Sequence, residues 1–353
     1  MKLFKLLLSL IVILGLLAIL AGCPKIADKA VSVEPKGMVY FNFFDTVSYI
    51  YSYAGDSQED FEARCKAASD ILLEYHNLFD IYYEHTGVVN LRTLNLNAGG
   101  EAMKVDAKLI DFLLYAKQLY EITNGEMNIM MGSVLSLWHD CREQAGENPA
   151  AARIPTEDEL NEARLHTDIS LLEIDVENST VRIADPKASI DVGALGKGYA
   201  TEQAAQYLRS IGAEHYVLNI GGNIRILGYK VDGTGWATGI KNPADTETFL
   251  KTITLADTSC VTSGNYERYF TVGGQRYHHI IDKDTLMPST HFAAVTIITP
   301  DSGLADALST ALFAMSYEDG LKVVEKLENV EVIWITEDGT QYTTAGFDKL
   351  VKN

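Results

Sequence analysis

The stretch Asp191-Val192-Gly193-Ala194-Leu195-Gly196-Lys197-Gly198-Tyr199-Ala200-Thr201-Glu202 reads as the end of a short strand over 189–192, a glycine-rich turn and the start of a helix. That order brings backbone amides toward an anion, although glycines serving only a tight turn account for the same spacing. It also narrows the fold. A Walker phosphate loop needs a glycine five positions before the Gly-Lys pair and a Ser or Thr after it, where this chain has Asp191 and Gly198. No G-x-G-x-x-G opens a helix after a strand, so a Rossmann site has no support, and no G-x-S-x-G elbow occurs.

On both sides of this stretch the hydrophobic period switches between helix and strand. Phe61, Cys65, Ala68, Leu72, Tyr75 and Phe79 alternate steps of four and three, one face of a helix. Leu109, Leu113, Ala116 and Tyr120 mark a second helix after Asp106. Helices are also expected over 156–165, 198–210, 303–315 and 317–327. Residues 171–183 alternate in two runs around Glu177-Asn178-Ser179-Thr180, a hairpin pattern; short strands are expected over 189–192, 216–220, 295–299 and 330–336. Without a regular βαβ rhythm the expected class is α+β, with mixed or antiparallel sheets flanked by helices. The acid-rich stretch 143–162 reads as an exposed insertion.

The 353 residues are 47% hydrophobic and 22% charged, the composition of a globular protein. Lys and Arg number 29 against 48 Asp and Glu, a net charge of −19, which excludes nucleic-acid binding by charge matching. Lys2 and Lys5 precede an apolar run over 6–20, followed by Leu20-Ala21-Gly22-Cys23. The run has the length of a signal-peptide core, and small residues before a cysteine resemble the bacterial lipobox, with Cys23 as the lipidated residue. An uncleaved anchor and a plain secretory signal are the other readings. Residues 1–22 are thus expected to be a signal peptide and 23–37 a tether. Cleavage removes two lysines and leaves 27 basic against 48 acidic residues, a net of −21. Cys65, Cys141 and Cys260 have no C-x-x-C spacing and are expected to be buried as small hydrophobes.

Three further clusters carry chemistry. Asn219-Ile220-Gly221-Gly222-Asn223 pairs glycines after a strand. Thr262-Ser263-Gly264-Asn265-Tyr266 is followed by His278-His279-Ile280-Ile281-Asp282, and the two histidines, adjacent on a strand, point to opposite faces and do not share a metal. In Ala305-Asp306-Ala307-Leu308-Ser309-Thr310-Ala311, Asp306 and Thr310 stand four apart on one helix face. A carboxylate and a hydroxyl suit a hard cation such as Mg2+; a plain hydrogen bond on a solvated face fits the same spacing.

In this order the clusters resemble the ApbE flavin transferase family, over about 41–347. The family's D-L-G-x-x-x-K-G-Y-A-x-D corresponds to 191–202, with Glu202 in place of Asp, and its N-x-G-G-N, T-S-G-x-Y, H-I-x-D and A-D-A-x-x-T-A to the other three. The resemblance implies an ApbE-type domain over 38–350, with room for two subdomains. It implies Phe44 and Tyr82 against the isoalloxazine and adenine of FAD, Glu126, Met127 and Asn128 beside the flavin, and Asp191 and Lys197 on FAD. It further implies Mg2+ held by the Ala194 carbonyl, Asp306 and Thr310.

The implied activity is transfer of FMN from FAD to a threonine hydroxyl of a client protein, releasing AMP, with His279 as candidate general base and Asp282 orienting it. Implied clients are flavin-linked subunits of membrane electron-transfer complexes. Many members are lipoproteins, so a lipid-anchored, extracytoplasmic enzyme is expected. Hydrolysis of FAD to FMN and AMP and non-catalytic FAD binding are the alternatives, with an aromatic at Tyr82 favouring FAD retention. Three places depart from the family: Phe44-Asp45-Thr46 for M-G-T, Met127-Asn128 for F-D, and Asp282-Lys283-Asp284-Thr285-Leu286-Met287-Pro288 for D-P-x-T-G-x-P.

Overall fold

Alternating side chains build the centre of the molecule. In the computed structural model, which describes residues 33–351, eight strands form one sheet. Their order is Lys36–Phe43, Thr46–Ser52, Tyr216–Ile220, Asn223–Leu227, Ser259–Gly264, Ala294–Thr299, Glu331–Ile335, Gln341–Thr343, and every neighbouring pair is antiparallel. Successive residues face opposite ways. Val295, Ile297, Val332 and Trp334 enter the core under the helices, whereas Ala294, Ile298, Ile333 and Ile335 face the long hairpin Trp236–Asn242 and Asp245–Leu255. This is the expected α+β class, with antiparallel pairing.

Helices Gln58–Phe79, Ala107–Ile122 and Gly196–Ser210 share the largest core with the first strands of the sheet. The six residues of the 61–79 stripe are all buried, and Ser57 caps that helix by accepting from Asp60 N at 3.0 Å. Helix Ser302–Ala314 is buried nearly all round, which is why small residues dominate it. Cys65, Cys141 and Cys260 are free and buried. Among the described residues no helix is long and apolar enough to cross a membrane.

Two expectations are corrected, a third is refined, and one helix was not expected. The strand over 189–192 does not form: Met131 and Ser189 make one isolated bridge, and the Asn95 carboxamide brackets Ile190, donating to its carbonyl (2.9 Å) and accepting from its N–H (2.7 Å). A side chain supplies what a neighbouring strand would. The acid-rich stretch is mostly exposed, as expected, but it is ordered. Capped by Thr156 and Glu159, helix Glu157–Arg164 packs Leu160 and Ala163 with Trp138, Cys141, Ala145 and Leu286 in a satellite core. A strand begins at Lys36, so the last two residues expected in the tether belong to the sheet. Helix Gly132–Glu147 went unread because Gly132, Ser133 and Ser136 interrupt its start. The leader and Cys23 lie outside the described residues.

Candidate active site

The site begins at a helix crossing. Gly198, in the first turn of helix Gly196–Ser210, lies so close to helix Ser302–Ala314 that an added Cβ would stand 2.3 Å from the Ser302 carbonyl oxygen and 2.4 Å from Asp306 Cβ. Its N–H donates to Asp306 Oδ2 at 2.8 Å, and Lys197 Nζ stands 3.8 Å from the same oxygen. Lys197 also donates to the Gly193 carbonyl at 3.2 Å, tying the glycine-rich turn that holds Ala194 to the carboxylate. The Asn223 carboxamide faces Asp306 from the sheet, and Asn219 accepts from Gly222 N at 3.0 Å to shape that turn.

Asp306 is a charge in a buried helix, and burial raises its carboxyl above the ordinary value against the pull of Lys197 and the Gly198 N–H. A buried carboxylate with its one close ammonium 3.8 Å off suits a cation better than it suits the bare protein. Thr310 lies one turn on, its hydroxyl 3.4 Å from Ser263 Oγ, which pairs with Ser309 Oγ at 2.8 Å. Oxygen donors on one helix face fit a hard divalent ion.

Around this carboxylate stands a set of basic groups. The His279 imidazole is pushed down to about 3, first by burial and then by Arg268, His278, Lys197 and Arg142, so the ring is neutral. Its Nδ1 is buried without a hydrogen-bond partner. The adjacent His278 points the other way, donating from Nε2 to the Ser289 carbonyl (2.9 Å), accepting at Nδ1 from Ile280 N (3.2 Å) and packing edge-on against Phe313. Asp191 is raised by burial while the Gly193 N–H, His139, Arg268 and Lys197 pull it down. Arg268, Arg142 and His139 were missed in the sequence. Arg268 hid in a turn after Tyr266, and the other two in an unread helix.

Phe44 and Tyr82 lie near each other through Asp45, the other residue of the Phe44-Asp45 turn, whose charge reaches Tyr82. Phe44 and Asp45 are the two-residue turn between the first two strands, with φ of 50° and 51°, a primed turn that normally takes Asn-Gly. Phe44 N donates to His76 Nδ1 at 3.3 Å, and the rings meet edge-on at 5.4 Å. The Tyr82 ring lies 5.4 Å from His139 and feels Asp191, Arg142 and Arg268. Tyr82 therefore joins the basic cluster, whereas Phe44 is held through His76.

Glu126, Met127 and Asn128 adjoin the site through Ile129, whose carbonyl accepts from Asp191 N at 2.8 Å. Only Glu126 is poised for a ligand: burial pushes its carboxyl up to about 7, with Lys283 Nζ 3.8 Å away. Met127 is a core residue. Asn128 donates to the Thr167 carbonyl and accepts from Met130 N, lining a separate 480 Å³ recess. Asp282 does not orient His279. Its Oδ1 accepts from Asp284 N (2.7 Å) and Thr285 N (2.9 Å), shaping the turn that has lost the family's Pro and Gly, with Leu286 at φ 58° in the glycine's stead.

An antiparallel sheet under helices, with a buried carboxylate at a glycine crossing and basic groups around it, defines an α+β protein built to hold an anion beside a cation. Comparison narrows the class: a profile of the ApbE family matches residues 44–334, and the chain belongs to that family. It is 29% identical to an FAD:protein FMN transferase of Vibrio cholerae over 96% of this chain and 97% of the relative. It is 32% identical to one of Treponema pallidum over 72% and 73%. Among solved structures, the ApbE protein of Thermotoga maritima superposes with a TM-score of 0.78 at 28% identity, covering 91% of this chain and 100% of that one. The flavin transferase ApbE of Vibrio cholerae gives 0.75 at 27%, over 90% and 99%.

Proposed function

We propose that the chain is an FAD:protein FMN transferase that moves FMN from FAD to a threonine hydroxyl of a client protein. The observation that carries this reading is the convergence of Asp306, Lys197, Arg268 and His279 on one place, within a family whose nearly full-length relatives bear that name. Lys197, Arg268 and Arg142 provide the positive field for the two phosphates of FAD. Asp306, Thr310 and the Ala194 carbonyl would hold Mg2+. When bound, that ion would neutralise pyrophosphate charge and stabilise the departing AMP.

His279, neutral and with a free Nδ1, takes the proton of the attacking threonine hydroxyl as its oxygen bonds to the FMN phosphorus. The bond from that phosphorus to the bridging oxygen breaks, and the oxygen leaves with AMP. Bound phosphates offset the neighbouring cations and so raise the basicity of His279 at the moment it is needed. Tyr82 faces the adenine, and Phe44 and Glu126 flank the flavin. Clients are flavin-linked subunits of membrane electron-transfer complexes, and the leader places the enzyme outside the cytoplasm on a lipid at Cys23.

Incubation with FAD, Mg2+ and a client domain bearing the acceptor threonine tests this by client mass. Covalent FMN on the client is expected; free FMN plus AMP points instead to hydrolysis, and unchanged FAD to binding alone. Asp306→Ala should lower Mg2+-dependent turnover by about 100-fold or more. Turnover unchanged in that variant overturns the metal assignment.

A further inference from the structure

We infer a second metal site, separate from Asp306, formed by His76, Asp80 and His85, that takes a borderline ion such as Zn2+. One ligand atom from each lies within 4.8 Å of the others. His76 and Asp80 are one turn apart at the end of helix Gln58–Phe79, where Asp80 is the C-cap. The chain turns back through Tyr82 and Tyr83 and is pinned by a bridge between His85 and Val88. His85 Nε2 comes to 2.9 Å from Asp80 Oδ2, and the two imidazoles meet at 6.1 Å between centroids.

The carboxylate is prepared as a ligand. Oδ1 accepts from Tyr82 N (2.7 Å) and Tyr83 N (2.9 Å), which leaves Oδ2 to His85. Such backbone orientation of a ligand is what metal centres use. Two imidazoles and one carboxylate are the donor set of an open tetrahedral zinc site, with a fourth place for water. Capping the helix requires Asp80 alone; the approach of His85 to its second oxygen, with a nitrogen of His76 within 4.8 Å of both, is what the cap leaves over.

Binding there has a mechanical consequence. His76 Nδ1 accepts from the Phe44 amide, so its lone pair is engaged. An ion at Nδ1 takes that lone pair, and an ion at Nε2 moves the ring proton to Nδ1. In both cases the Phe44 N–H loses its acceptor. Occupancy of this site therefore works against the left-handed Phe44-Asp45 turn while fixing the segment that carries Tyr82. The effect on FAD rests on the function proposed above; the site itself does not.

Co2+ titration of the EDTA-stripped full chain in detergent tests the site without any activity. One equivalent should produce the visible absorption of four-coordinate Co2+, removed by added Zn2+. The band should disappear in His85→Ala and in His76→Gln and persist in Asp306→Ala. Zn2+ should also raise the melting temperature of the wild type and not that of His85→Ala, whose partly exposed loop position leaves the fold intact. No visible band, a band unchanged in His85→Ala, or a band lost in Asp306→Ala would each overturn the assignment.

Discussion

Arg268 adopts a left-handed backbone at φ 41°, a conformation that costs a non-glycine residue about 1 kcal/mol or more. Its charge reaches Tyr82, Asp191, His279 and Asp306 alike. Replacing it with Ala should raise the FAD KM by about 10- to 100-fold, the loss of a charged hydrogen bond. The same change should move His279 upward from about 3, read by NMR titration. A His279 titration unchanged in Arg268→Ala would show that the guanidinium does not face the imidazole. Glu126 gives a second residue-scale expectation. Its carboxyl is raised from 4.5 to about 7, so the folded state favours the protonated form. That contribution to stability is complete below pH 4.5 and is lost as pH rises through 7. Glu126→Gln, which never ionises, should be more stable than wild type at pH 8 by about 1–2 kcal/mol and indistinguishable near pH 4, by denaturant melts at both values.

The helix crossing at Gly198 sets the position of Asp306. A methyl group there meets the Ser302 carbonyl, which is backbone and does not yield. Gly198→Ala should destabilise the protein by about 1–3 kcal/mol and weaken Mg2+ stimulation at once, because the two helices must separate. The same pair is locked a turn deeper by Glu202, which accepts from Arg225 Nε (2.9 Å) and Ser302 N (3.0 Å). The longer carboxylate at this position is thus explained: it spans helix, helix and sheet. Full stability in Gly198→Ala would mean that the two helices can part at this crossing without cost.

Across the whole molecule the dominant fact is net charge, −19 over 353 residues. Self-repulsion of that size weakens the compact state and is relieved as the Debye length falls from about 10 Å at 0.1 M salt to about 3 Å at 1 M. Exposed pairs such as Lys66 with Asp70 and Lys322 with Asp319 are worth little and lose little. The melting temperature at pH 8 should therefore rise by about 2–4 °C over that range; a fall would mean that ion pairs outweigh repulsion.

Periodicity is a local property, and so the order of residues determined helices such as Gln58–Phe79, Ala107–Ile122 and Ser302–Ala314, the strand Tyr216–Ile220 and the α+β class, while helix Gly132–Glu147 and most strands of the large sheet went unread. The order of the motifs, through their resemblance to the ApbE family, singled out Asp191, Lys197, His279 and Asp306. Tertiary structure alone decided which groups meet. Arg268, Arg142 and His139 share one field only because a turn and a helix deliver them from different parts of the chain. Met127 and Asn128 turn to core and backbone, Asp282 closes its own turn, and a side chain at Asn95 replaces a strand at 189–192. His76 and His85 likewise stand on either side of Asp80 through a reversal of the chain that no repeat in the sequence announces. Long-range contacts depend on loop paths and close approaches, and these leave no period to read.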